Sequence, residues 1–179
     1  YEHIHYHCDV LIIGGGLSGL FAAKLTAKSG LKVLLVDNQE TLGGSLLAEK
    51  SDTFTIDDQL SHDWLHKIIN NISNYTNLKI INSTTLFAYM HNNYLLAIQN
   101  IKPLIHPNQK PNNLRQIIWK IRAKKVILAT GAIERPLTFH NNDRPGIMLA
   151  NSSKKYLNYY GVIPGNETII FTNNDDAYK

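Results

Sequence analysis

An α/β fold organised around a parallel sheet is predicted by three features of the sequence. Val10-Leu11-Ile12-Ile13 is an unbroken apolar run of the kind found in strands covered on both faces, and it stops at Gly14-Gly15-Gly16. An amphipathic stretch follows those glycines. A second apolar run, Lys32 to Val36, then comes within about 30 residues of the first, and strand, helix, strand at that spacing makes a right-handed crossover with parallel strands.

Asp9 to Ile13 is the first strand. From Leu17 to Ser29, Leu20, Ala23 and Ala27 recur with Phe21 and Leu25 at helical spacing, and Gly30 supplies the stop. Lys32 to Val36 is the second strand, ending in Asp37. Beyond a Gly43-Gly44 turn, Leu60, Trp64, Leu65, Ile68, Ile69, Ile72 and Tyr75 fall on one stripe, which predicts a helix from about Gln59 to Tyr75 with its aromatics in the core. Leu78 to Ile81, Thr84 to Met90, Tyr94 to Ile101 and Gln116 to Arg122 read as strands separated by Asn-rich turns, an inserted β-meander among them. A loop carrying Pro103, Pro107 and Pro111 reads as a mobile connection. Lys125 to Ala129 is a last short strand before a Thr130-Gly131 turn and an irregular stretch through Pro136 and Pro145. Ser152 to Tyr160 is expected to be helical, and Glu167 to Thr172 to be another buried strand.

At 179 residues the chain is long enough for one ordinary globular domain and too short for two full ones. Eleven Gly and six Pro, with no repeat, exclude collagen-like and low-complexity classes. The longest mostly apolar stretch, Val10 to Ala23, contains four glycines and is too short to cross a bilayer core of about 30 Å as a helix. The polar start lacks the pattern of a secretory signal, and a single cysteine, Cys8, allows no internal disulfide; both favour a cytoplasmic setting.

The net charge of +4 is concentrated from Lys102 to Lys125, which holds seven Lys or Arg and no acid. Trp119 is the only aromatic there, so the run lacks the stacking residues of a nucleic-acid groove. It reads as a solvated strand edge, or as a contact for an acidic partner subunit.

Gly14-Gly15-Gly16-Leu17-Ser18-Gly19 matches G-x-G-x-x-G between the first strand and the first helix, where a dinucleotide fingerprint belongs. Gly14 permits the tight turn, Gly16 lets the backbone approach a pyrophosphate, and Gly19 allows close helix packing. The unpaired N–H groups of the first helical turn, with about half a positive charge from the helix dipole, then face the phosphates. Asp37 ends the second strand at the same edge, where a carboxylate accepts bonds from ribose hydroxyls and repels a 2′-phosphate. The pattern is that of a Rossmann-like FAD/NAD(P)-binding domain of the two-dinucleotide flavoprotein type, favouring NAD or FAD over NADP.

Gly43-Gly44-Ser45 is either a second backbone approach to the same ligand or a plain surface turn. Thr130-Gly131 sits where flavoprotein-like chains leave the first domain. His3, His5 and His7 alternate on one face about 7 Å apart and do not converge on a tetrahedral ion. Ser18 has no base placed for it and reads as a helix-start hydroxyl.

Several stretches resemble the alpha subunit of heterotetrameric sarcosine oxidase. They include His7-Cys8-Asp9-Val10, Gly43-Gly44-Ser45-Leu46-Leu47, Thr84-Thr85-Leu86-Phe87, Leu128-Ala129-Thr130-Gly131-Ala132-Ile133-Glu134-Arg135-Pro136, Asn142-Asp143-Arg144-Pro145-Gly146 and Thr172-Asn173-Asn174-Asp175-Asp176-Ala177-Tyr178. The resemblance implies a parent enzyme that demethylates sarcosine to glycine, reduces oxygen to hydrogen peroxide and passes the one-carbon unit to tetrahydrofolate, bound in a region outside this stretch. It implies NAD in this fold, lined by Ser18, Asp37, Asn38, Gln39, Ser45 and Leu86, with FAD and FMN in the whole complex and beta, gamma and delta subunits as partners. The family more often has Pro-Ala where this chain has Leu17-Ser18. The flavins and the amine-oxidising residues belong mainly to the beta subunit, so the resemblance assigns no catalytic residue here.

The expected organisation is a dinucleotide-binding domain over 1–135, a connection over 136–165 and, over 166–179, the first strand of a second nucleotide-type domain. A lone final strand and a start at Tyr1 are expected of a fragment of a larger polypeptide. Two other readings stay open: a flavoprotein oxidase or dehydrogenase holding FAD directly in this fold, and a non-catalytic assembly module stabilised by its nucleotide.

Overall fold

A computed structural model describes residues 2–50, 55–101 and 115–178. Its elements are β1 (Glu2–Ile13), α1 (Leu17–Lys28), β2 (Val33–Val36), β3 (Thr55–Ile56), β4 (Gln59–Leu60), α2 (Ser61–Ser73), β5 (Leu78–Ile81), β6 (Thr84–Met90), β7 (Tyr94–Asn100), β8 (Gln116–Leu128) and α3 (Ala150–Asn158). The main sheet runs β5-β2-β1-β8-β7-β6. The first four strands are mutually parallel, β7 pairs antiparallel with β8 and β6 antiparallel with β7, so β6, β7 and β8 form the inserted meander. The proline-containing loop lies outside the described residues.

Two apolar layers sandwich the parallel strands. On one side Val10, Ile12, Val33 and Leu35 pack with Leu20, Ala23 and Ala27 of α1 and Trp64, Leu65, Ile68 and Ile72 of α2. On the other, Leu11, Ile13, Leu34 and Val36 meet Leu95, Trp119 and Ile121. Strands three places apart in a flat sheet are about 14 Å apart. Lys79 of β5 nonetheless puts Nζ 4.7 Å from the Trp119 ring of β8, so the sheet curls and the meander covers its own second face.

Two strands are longer than the sequence reading. β1 extends back to Glu2, and β8 joins the expected strands 116–122 and 125–129 into one. A bulge explains why the sequence looked interrupted. The amides of Asp9 and Val10 both donate to the Lys32 carbonyl, at 2.8 and 3.2 Å, and β1 changes face there. Ile4, Tyr6 and Cys8 before it, and Leu11 and Ile13 after it, line the same core layer. β8 changes face beside it, with Trp119, Ile121 and Ala123 giving way to Val126. An alternation that reverses mid-strand reads as two short strands.

Up to Arg122 the described part of the basic run pairs with β1 on one side and β7 on the other and is no sheet edge, whereas Lys124 and Lys125 lie past the end of the β7 ladder, where β1 is the one neighbouring strand among the described residues. Lys120 and Arg122 stand beside His5 and His7 on an outward face, and Lys124 pairs with Asp9 at 2.7 Å. The strand expected over Glu167 to Thr172 does not form. That stretch has no ladder partner among the described residues and leaves Ile169 97% exposed. An isolated strand cannot satisfy its backbone groups.

Candidate functional site

β1 delivers the chain to the carboxyl edge of the sheet, and Gly14 turns it into α1. The Gly14 amide donates to the Val36 carbonyl at 2.8 Å, and its φ of +107° suits glycine. A Cβ on Gly14 would lie 2.2 Å from the Ala129 carbonyl oxygen, and one on Gly19 would lie 1.8 Å from the Gly14 carbonyl oxygen. These two glycines are therefore required by protein packing alone.

Gly16 is different. It is the N-cap of α1 with φ −78° and ψ −171°, backbone that any residue adopts, and the nearest atom to its missing Cβ is the Gly44 Cα at 3.8 Å. No side chain caps α1 and no acidic residue occupies its first turn, while Leu17 and Ser18 are exposed. Gly16 thus borders open space at an uncapped, positively polarised helix start.

Asp37 is buried at 7% exposure. Its Oδ2 accepts the Gly15 amide and its Oδ1 accepts the Gln39 amide at 2.6 Å. The carboxylate therefore braces the glycine turn itself, a role the sequence did not reveal. An ionised carboxylate has about four acceptor positions, so acceptor capacity for a sugar hydroxyl remains after those two bonds. Gly15 was missed as a site residue because it fills a freely variable position of the motif. Its missing Cβ would fall 2.4 Å from Leu42 Cδ2, and only the fold reveals that contact.

The second turn is brought onto the first. The Gly43 amide donates to the Gly15 carbonyl at 2.8 Å, and a Cβ on Gly44, at φ +56°, would lie 2.9 Å from the Gly16 Cα. Gly44 opens a 3-10 helix, Gly44–Ala48, anchored by buried Leu46 and presenting Ser45 outward. The third turn also converges: Ala129 packs against Gly14 and Gly19, and its amide donates to the Ile13 carbonyl at 2.8 Å. Thr130 follows, exposed, and Gly131 takes φ +72° in open space.

The remaining expected residues are more scattered. Asn38 is exposed and accepts a bond from the Gln39 side chain at 3.2 Å. Leu86 is half-buried on β6 against the second core layer. Its strand is tied to the site through Thr84, whose amide donates to the Asp37 carbonyl at 2.8 Å.

A βαβ unit of strand order β5-β2-β1-β8, with glycine turns at its carboxyl edge and a carboxylate at the end of β2, defines an FAD/NAD(P)-binding Rossmann-like domain. The chain belongs to the FAD dependent oxidoreductase family, whose model matches residues 9–129. It is 40% identical over 178 residues to sarcosine oxidase subunit alpha of Corynebacterium sp. (strain P-1) and 41% identical over 179 residues to that of Rhizobium meliloti (strain 1021). Each match covers 99% of this chain and 18% of the relative, so the chain spans under a fifth of the length of these relatives. Among solved structures, L-proline dehydrogenase from P. horikoshii matches with a TM-score of 0.71 at 28% identity, over 92% of this chain and 31% of that one. Thioredoxin reductase of T. acidophilum matches with a TM-score of 0.51 at 19% identity, over 76% of this chain and 40% of that one, a likeness of fold alone. No helix among the described residues is long and apolar enough to cross a membrane.

Proposed function

We propose that this chain is the NAD-binding part of an alpha subunit of a heterotetrameric sarcosine oxidase, acting with beta, gamma and delta subunits and with tetrahydrofolate bound elsewhere in the complex. Residues 1–135 are the dinucleotide-binding domain, 136–165 the connection and 166–179 the start of a further nucleotide-type unit. The observation that carries the reading is Gly16, a glycine that neither backbone conformation nor packing demands. A pyrophosphate seated there meets the first-turn amides of α1, with Gly44 and Ser45 on its far side and Thr130 and Gly131 beside it. Asp37 accepts a ribose hydroxyl through its remaining lone pairs, and Asn38, Gln39 and Leu86 border the adenosine. NAD, once bound, would supply a nicotinamide able to accept or donate hydride, and this reading assigns no catalytic residue to the stretch.

A second reading is favoured by the family match: the same cradle holds the adenosine diphosphate half of FAD. Both readings share every contact named above. Mass spectrometry of small molecules released by denaturing the full-length subunit, separated from its partners, distinguishes them. NAD without FAD from this subunit supports the first, and FAD with absorbance near 450 nm from the isolated subunit supports the second. Release of neither compound overturns both.

A further inference from the structure

We propose that α3 is a positioning strap that ties the second and third turns of the site together, with Lys154 and Asn158 fixing the Gly44–Ala48 helix and Glu134 fixing the exit from β8. The inference deepens the dinucleotide reading and rests on it. Lys154 Nζ pairs with Glu49 Oε2 at 2.7 Å, both side chains about three-quarters buried. One helical turn later, Asn158 Nδ2 donates to the Ala48 carbonyl at 2.8 Å. These two contacts grip the C-terminal end of the short helix whose first residue, Gly44, lies against Gly16.

At its other end α3 is held by Glu134, whose Oε2 accepts the Asn151 amide at 2.7 Å. That amide belongs to the first turn of α3, where a helix has donors without internal partners and favours negative charge. Glu134 lies three residues beyond Gly131, in the chain that leaves β8 beside Gly14. The strap therefore connects two loops that meet the first glycine turn from different sides. The Gly44–Ala48 helix is too short to hold a fixed orientation by its own hydrogen bonds. Leu46 and the Gly43 amide anchor its start, and α3 anchors its end.

The test uses ADP, which carries the adenosine diphosphate common to NAD and FAD, with nucleotide-free protein at a temperature where every variant is fully folded. Lys154→Glu sets two carboxylates against each other, as Glu49→Lys sets two ammonium groups. Each is expected to weaken ADP binding about fivefold, with the double reversal returning within about twofold of wild type and Lys154→Arg retaining affinity. Hydrogen exchange of the Gly44–Ala48 amides should speed up in the single variants and recover in the pair. Loss of stability without misplacement of the turn would leave affinity of the folded protein unchanged, so unaltered ADP binding in Lys154→Glu overturns the strap. Failure of the double reversal to restore binding also overturns it. Wild-type protein that binds no ADP overturns the dinucleotide reading instead, and exchange at Gly44–Ala48 then decides the strap by itself: unchanged rates in Lys154→Glu overturn it.

Discussion

The hydrogen of Gly19 that a side chain would replace points at the carbonyl oxygen of Gly14, leaving 1.8 Å for any Cβ placed there. The first and last glycines of the motif thus form one contact, in which α1 closes onto the turn that begins it. Gly19→Ala forces backbone apart at both positions and should cost at least about 3 kcal/mol, a fall of roughly 8–10 °C in melting temperature for a domain of this size. Thermal unfolding followed by circular dichroism reads it directly.

Gly16→Ala should behave in the opposite way. The added methyl group meets only ordinary van der Waals contact inside the protein, and the backbone already suits alanine. Stability should stay within about 0.5 kcal/mol of wild type, while nucleotide affinity falls at least about tenfold because the methyl occupies the pyrophosphate position. Parallel calorimetric titration and melting curves check both halves.

Replacing Asp37 by Asn turns one acceptor oxygen into an NH2 group facing a backbone amide. Either Gly15 or Gln39 then loses its partner in a buried place, at a cost of about 1–3 kcal/mol. The urea midpoint should drop with the slope unchanged. Nucleotide affinity should fall with it, since the turn that presents Gly16 loses its brace.

Burial raises the Cys8 thiol from 9.0 to about 11, with Lys32 pulling it down in part and Asp9 pushing it up. The folded protein holds this proton more tightly than the unfolded chain, so the contribution is intact below pH 9 and is lost as pH rises through about 11. Stability should therefore decline more steeply with pH above 9 in wild type than in Cys8→Ala. Alkylation of the native thiol should remain slow at pH 8, where the group is protonated and only 6% exposed. Urea titrations at stepped pH and iodoacetamide labelling provide the two measurements.

Features written in local spacing were legible in the sequence. Gly14, Gly16 and Gly19 fix a strand-turn-helix because each constraint acts within six residues, and Leu78 to Ile81 and Thr84 to Met90 emerge as strands with the expected bounds. The stripe from Trp64 to Ile72 is the buried face of α2, since helical periodicity repeats before tertiary contacts intervene. Asp37 stood out as a candidate through its place after the second strand, but its bonds to Gly15 and Gln39 were not legible.

What the chain order alone determined is the parallel unit, the cradle of glycines at its edge and the carboxylate beside it, because backbone freedom and apolar periodicity are properties of neighbouring residues. Only the folded arrangement decided that Asp9 and Lys124 mark a shared change of face, that β8 is one strand paired with β1, and that α3 reaches Glu49 and Ala48. Those outcomes depend on atoms more than a hundred residues apart competing for the same space and the same hydrogen bonds, a competition that no local pattern records.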